Sequence, residues 1–222
     1  ENLSLRTRSL QNGLLLWERP FNWDEPRDKY KAGYYPGRSC MVADVGGLWL
    51  VEEEKVLYLD GESGEQLKSI EGPKPGGQIK WIAIENGKLA VLAGEPDNFK
   101  ISTLQTEALN PIGREIAVYD TKDGSLLWRR TAKGDVDERT IALLDGRLYY
   151  HEQGYATLAL DLADGSEVWL NSDPETVKLI DEKPEKEKGG LLISQRAMLV
   201  DKKAILFVAY WRRNAVALDT KT

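Results

Sequence analysis

The chain has 222 residues, 41% of them hydrophobic and 30% charged, and a net charge of −6. That is enough apolar content for a core and too much for a disordered chain, while no apolar run reaches the length of a membrane span. The acidic balance argues against a broad phosphate-binding surface, so nucleic acid is not an expected partner, and with Cys40 the only cysteine and His151 the only histidine, neither an internal disulfide nor a multi-Cys/His zinc site can form.

The opening ENLSLRTRSL lacks the basic start and apolar core of a signal peptide. RSLQNGLLLW follows, with Gly13 and Trp17 spaced as they are in two later stretches. We read residues 1–20 as the end of one structural unit. Residues 18–38 then form a long insertion carrying Phe21, Trp23, Tyr30, Tyr34 and Tyr35 beside Arg27 and Arg38.

A second unit, 38–72, begins with MVADVGGLWLVEE, two apolar runs joined at Gly46-Gly47. The charged EEEK at 52–55 falls at the turn after a strand and reads as a solvated charge run. YLDGESGEQLKSI places Asp60 and Gly64 in the recurring pattern but has Lys68 where a tryptophan is expected. The third unit, 78–132, has a hairpin at Asn86-Gly87 and an insertion at 94–113. It closes on AVYDTKDGSLLW, with Asp120, Gly124 and Trp128.

The fourth unit, 138–171, repeats the plan with a hairpin at Asp145-Gly146 and ALDLADGSEVW, which supplies Asp161, Gly165 and Trp169. A third insertion, 171–190, contains DEKPEKEK and reads as a solvated loop. The last unit, 190–222, has AILFVAYW as a buried strand and reaches Asp219, so it is expected to be incomplete. No stretch shows a helical period.

Units recurring every ~40 to 60 residues, each strand, tight hairpin, strand, loop, strand, turn, strand, are the signature of a repeat fold built from four-stranded antiparallel blades. The recurring residues have physical reasons. The aspartate can accept hydrogen bonds from turn amides two residues on. The glycine supplies the positive φ of the turn into the fourth strand. The tryptophan, on the outermost strand, is placed to staple one blade to the next.

The pattern A-x-D-x-x-x-G-x-x-x-W, complete from Ala159 to Trp169, resembles the tryptophan-docking motif of the pyrroloquinoline-quinone (PQQ) repeat propellers. That group includes the quinoprotein alcohol dehydrogenases and the non-enzymatic propeller lipoprotein of the outer-membrane β-barrel assembly machine. The resemblance implies an all-β fold, here a partial arc of roughly four to five blades from a propeller of seven or eight, with the remaining blades as neighbours. It also implies an extracytoplasmic, periplasmic location. The docking residues it marks are Gly13, Trp17, Asp60, Gly64, Asp120, Gly124, Trp128, Asp161, Gly165, Trp169 and Asp219.

Chemistry is harder to find. DTKDG and LADG lack the alternating acidic residues and final glutamate of a calcium loop, and no phosphate-binding glycine motif follows a strand. His151 shows no sequence partner for general-base work and reads as structural. The quinoprotein enzymes, by the resemblance, cover their quinone with a disulfide of adjacent cysteines and hold calcium with Glu, Asn and Asp. A chain with one cysteine cannot form that disulfide within itself. The expectation is therefore a non-catalytic binding or scaffolding module without a cofactor, the alternative being a PQQ-dependent oxidoreductase with calcium. The three insertions should leave one face of the disc. There Trp23, Tyr34, Tyr35 and Arg38, aromatic and arginine groups of the kind that dominate binding surfaces, are the expected contacts to a protein or small-molecule ligand.

Overall fold

The computed structural model describes residues 4–20, 40–96, 112–181, 197–209 and 214–220. Sixteen strands are described, in four antiparallel sheets whose neighbours follow chain order. The first sheet pairs β1 (Ser4–Arg8) with β2 (Leu15–Pro20), and the second holds β3 (Met41–Ala43), β4 (Gly47–Glu52), β5 (Lys55–Asp60) and β6 (Gln66–Glu71). The third runs through β7 (Gln78–Glu85), β8 (Lys88–Gly94), β9 (Ile112–Asp120), β10 (Leu126–Leu144), β11 (Arg147–Glu152), β12 (Ala156–Asp161) and β13 (Glu167–Asn171). The last comprises β14 (Ala197–Val200), β15 (Ala204–Ala209) and β16 (Asn214–Asp219). This is the all-β arc of antiparallel sheets that the repeats predict.

The third sheet has seven strands because β10 belongs to two groups of strands. Its first half pairs with β9 from Leu126 to Asp137, and its second half pairs with β11 from Val136 to Leu144, with register breaks between Thr131 and Val136 and between Val136 and Ile141. The crossing is tight. A Cβ built on Gly134 would stand 2.3 Å from the Gln153 carbonyl oxygen, so only glycine lets the chain pass. Buried Glu152 secures the same point, accepting the amides of Lys133 at 2.8 Å and Gly134 at 3.3 Å.

Inner strands are apolar on both faces and outer ones on one face at most. Leu158, Ala159 and Leu160 in β12 are all buried, whereas β13 begins with the exposed pair Glu167 and Val168. Each hydrophobic cluster joins one group of strands to the next. Trp49, Val56 and Ile70 pack with Ile79, Ile82 and Leu89. Tyr149 and Ala159 pack with Phe207 and Leu218. Cohesion is thus a chain of neighbour interfaces, as in other repeat proteins.

Two sequence readings need correction. The hairpin expected at Gly46-Gly47 turns one residue earlier: the Asp44 amide donates to the Gly47 carbonyl at 3.0 Å, and Gly47 is already in β4. The Asp44 carboxylate sets this turn by accepting the Gly46 and Gly47 amides and the Trp49 indole, each at 2.9 Å. The expected solvated loop after β13 opens with a helix, α1 (Pro174–Asp181). Asp173 caps it, accepting the Thr176 amide at 2.9 Å, and Pro174 supplies the favoured first helical residue. Val177 and Ile180 are buried, Ile180 against the cluster that contains Phe207. With two inward residues in eight, the segment is too short to show a period. Among the described residues no helix is long and apolar enough to cross a membrane.

Candidate functional site

The recurring residues meet at the joints between successive groups of strands. Asp60 Oδ1 accepts the amides of Glu62 at 3.0 Å and Ser63 at 2.8 Å, while Asp120 and Asp161 accept those of Lys122 and Ala163, each at 2.7 Å. Gly64, Gly124 and Gly165 follow at φ of +74°, +76° and +74°, each donating its amide to the aspartate carbonyl at 2.9 Å. These turns leave the carbonyl one residue past the aspartate open to the preceding group. Trp17 Nε1 donates to the Gly61 carbonyl and Trp128 Nε1 to the Leu162 carbonyl, both at 3.0 Å. Each indole lies flat on the turn glycine: a Cβ on Gly64 would come within 2.6 Å of Trp17, and one on Gly165 within 2.7 Å of Trp128.

Lys68 makes the third joint without an indole. Its Nζ donates to the carbonyls of Thr121 at 2.6 Å and Lys122 at 2.8 Å. Thr121 follows Asp120 as Gly61 follows Asp60 and Leu162 follows Asp161, so the ammonium uses the carbonyl that an indole uses elsewhere. Ile70 fills the space over Gly124, 3.3 Å from where a Cβ would sit. The sequence pattern marked Lys68 as a departure; the shared acceptor makes it a chemical substitute. Trp169, half-buried, packs against the cluster containing Phe207 and Ile180, and Asp219 ends β16.

Several turn carboxylates have depressed pKa values. The amide and hydroxyl of Ser63 with the amide of Glu62 hold Asp60 below its ordinary value of 3.8, and Ser125, Ser166 and Thr176 do the same for Asp123, Asp164 and Asp173. A carboxylate whose pKa is depressed on folding contributes stability present above its unfolded value and lost as pH falls through its folded value. The melting temperature is therefore expected to hold steady from about pH 7 to about pH 5 and to fall once pH drops below about 4. Thermal melts followed by circular dichroism check this, and a melting temperature unchanged into strong acid would contradict it.

Because the strands alternate in direction, the links after β2, β4, β6, β8, β11, β13 and β15 all leave one end of the sheets. The three long insertions leave from this end. Trp23, Tyr34, Tyr35 and Arg38 lie outside the described residues. The described part of this end carries paired charges: Arg19 on Glu52 at 2.9 Å, Arg114 on Asp135 at 2.6 Å, Lys74 on Glu95 and Arg139 on Asp137. Lys133 adds an ammonium 4.2 Å from the Tyr155 ring centre. The exposed one among the ion pairs, Arg114 on Asp135, adds little to stability, ~0 to 1 kcal/mol, and together the pairs give this end a mixed charge.

His151 stands at the same end, fully buried. Its Nε2 lies 3.1 Å from Asp181 Oδ1 and its Nδ1 2.9 Å from the Thr157 hydroxyl, with its ring edge-on to Phe207. Asp181 also accepts the Gly154 amide at 2.6 Å. The histidine joins α1 to β11 and β12, while Asp181 joins α1 to the turn between those strands. The histidine's partner, the last residue of α1, lies thirty residues on in the chain and was missed with the helix. EEEK spans the β4–β5 turn, with Glu53 and Glu54 in the turn and Glu52 and Lys55 ending the two strands.

A quinone with calcium would need adjacent cysteines and a cluster of carboxylate and amide ligands. Cys40 is the one cysteine of the sequence, its thiol 3.9 Å from the carbonyls of Ile79 and Lys80, and the described residues assemble no group of three His, Cys, Asp or Glu able to hold a metal. The described residues do not fit that cofactor.

Antiparallel sheets repeated on one plan, with a side chain reaching a turn carbonyl at three of the joints, define a β-propeller repeat protein. The sequence profile of the PQQ-repeat family described as outer membrane protein assembly factor BamB matches residues 9–222, and the chain belongs to that family. Among solved structures it is similar to BamB from Moraxella catarrhalis, with 15% identity and a TM-score of 0.54 over 98% of this chain and 52% of that one. It thus spans about half the length of that protein. It is also similar to two computationally designed proteins, each at 9% identity over 84% of this chain. They are Ika4 (TM-score 0.50, 93% of its length) and Ika8 (TM-score 0.51, 48% of its length). At these identities the likeness is one of fold. No curated protein sequence matches the chain.

Proposed function

We propose that the chain is a non-catalytic, protein-binding arc of an extracytoplasmic scaffold propeller, and that it works in the periplasm by presenting its loop-bearing end to a partner in outer-membrane protein assembly. The observation that carries this reading is the departure of all three long insertions from one end of a rigid stack of sheets, in a chain of the assembly-factor family. Loops on a rigid support are where binding residues concentrate. In this reading 1–20 is the end of one blade, 38–72, 78–132 and 138–171 are blades, and 190–222 is a fifth, incomplete one. The Asp-Gly turns with Trp17, Trp128 and Trp169 are then the docking joints between blades, and Trp23, Tyr34, Tyr35 and Arg38 provide the contacts.

The test is capture of the detergent-solubilised outer-membrane assembly machine on the immobilised chain, compared with a variant carrying Trp23→Ser, Tyr34→Ser, Tyr35→Ser and Arg38→Ser. Retention is expected to fall at least ~10-fold in the variant with the melting temperature unchanged, since aromatic and arginine anchors carry most of such binding energy. Equal retention would remove this loop as the site. Saturable, calcium-dependent quenching of tryptophan fluorescence by PQQ would instead favour the oxidoreductase alternative.

A further inference from the structure

The end of the sheets opposite the long insertions carries a cavity of about 340 Å³, within the size range of small-ligand sites. Two hairpin turns and one Asp-Gly turn form it, with Asn86, Lys88, Asp145, Arg147, Asp161 and Ala163 in its wall. Lys88 and Arg147 hold the same place in successive repeats, directly after the turns Asn86-Gly87 and Asp145-Gly146. The corresponding residues of the flanking repeats are Gly47 and Ala204, each opposite the repeat aspartate of its neighbouring strand, as Lys88 is opposite Asp120 and Arg147 opposite Asp161. Cations thus occupy this position in the two repeats that border the cavity and in neither flanking one.

Each nearby carboxylate has one oxygen engaged. Asp161 Oδ1 accepts the Ala163 amide at 2.7 Å, Asp120 that of Lys122 at 2.7 Å, and Asp145 Oδ2 lies 3.3 Å from Lys202 Nζ. Glu85 accepts the amides of Asp145 at 3.0 Å and Gly146 at 2.7 Å, which fixes the second hairpin turn against the first strand of the preceding repeat. The wall amides of Asp145, Gly146 and Ala163 are therefore already engaged. Among the described residues Lys88 and Arg147 enter no ion pair, and the Asn86 side-chain amide adds a neutral donor. A planar guanidinium suits bidentate binding of a carboxylate, and an ammonium beside it adds a compact charge.

We propose that this cavity binds a carboxylate ligand, the size of one or two acidic side chains, held by Arg147 and Lys88 with Asn86 as a third donor. The site is independent of the loop-bearing end, and it would give the arc a second contact surface. Two sources offer the same chemistry: a free small dicarboxylate, or an acidic segment of a protein.

Isothermal titration of the full chain with succinate, with acetyl-Glu-Glu-amide and with acetyl-Gln-Gln-amide separates them. Saturable binding of an acidic probe and none of the glutamine peptide is expected. Lys88→Gln and Arg147→Gln should each weaken it roughly 10-fold, while Arg147→Lys, which keeps the charge and the fold, should retain part of the affinity. Binding of succinate assigns a free anion as sufficient, and binding of the peptide alone assigns an acidic segment. No saturable binding of either acidic probe, or affinity unchanged in both Gln variants, would overturn the proposal.

Discussion

Trp128→Ala is expected to lower the unfolding free energy by about 3 to 5 kcal/mol, the range for deleting a large aromatic from a packed site, and in urea melts to shift the midpoint accordingly. The value should fall toward the lower end, because the indole is half-buried. Three losses combine: the ring's contact with Gly165, its bond to the Leu162 carbonyl, and its packing against the core that contains Leu148 and Leu158. Binding at the cavity and at the loop-bearing end should survive in the folded fraction. Lys68 supplies an internal control. An ammonium already satisfies the equivalent carbonyl at Thr121, so Trp128→Lys should recover the hydrogen bond but not the ring packing. A destabilisation by Trp128→Ala of less than about 1 kcal/mol, typical of a solvated surface residue, would mean that the joint adds little cohesion.

What the sequence disclosed and what it hid follow from how each feature is encoded. Asp120, Gly124 and Trp128 were legible because a turn needs its cap, its positive φ and its following strand at fixed spacings, and those spacings repeat. Asn86-Gly87 and Asp145-Gly146 were legible for the same reason: positive φ at both residues leaves few choices. The Gly46 turn was displaced by one residue because Asp44, not a glycine pair, sets it. Helix α1 was hidden, since eight residues with Val177 and Ile180 inward give no measurable period, although Asp173-Pro174 is a recognisable start signal. The continuity of β10 was hidden too, because it depends on Gly134 and Glu152 meeting across the fold. The site at Lys88 and Arg147 escaped for a different reason: each is an ordinary surface cation alone, and only the stacking of two repeats places them on one cavity.

The turn glycines allow the two parts of the joint to be separated. Gly13, Gly124 and Gly165 all have positive φ, at +72°, +76° and +74°, so alanine is strained at each, by roughly 1 to 2 kcal/mol. They differ in what a Cβ would meet. At Gly13 nothing lies within 4 Å, at Gly124 the Ile70 side chain is at 3.3 Å, and at Gly165 the Trp128 ring is at 2.7 Å. A side-chain carbon can yield a few tenths of an ångström. An indole held flat by its hydrogen bond to Leu162 cannot yield without giving up that bond, so overpacking adds about 1 to 3 kcal/mol at Gly165 alone. The expected order of destabilisation is Gly165→Ala well above Gly124→Ala, with Gly13→Ala smallest. In a Trp128→Ala background the excess at Gly165 should vanish, leaving only the backbone cost. A double-mutant cycle from urea melts measures this coupling directly. Additive effects would show that the ring does not rest on the glycine, and that the turn is conserved in pattern along the chain for its backbone geometry alone.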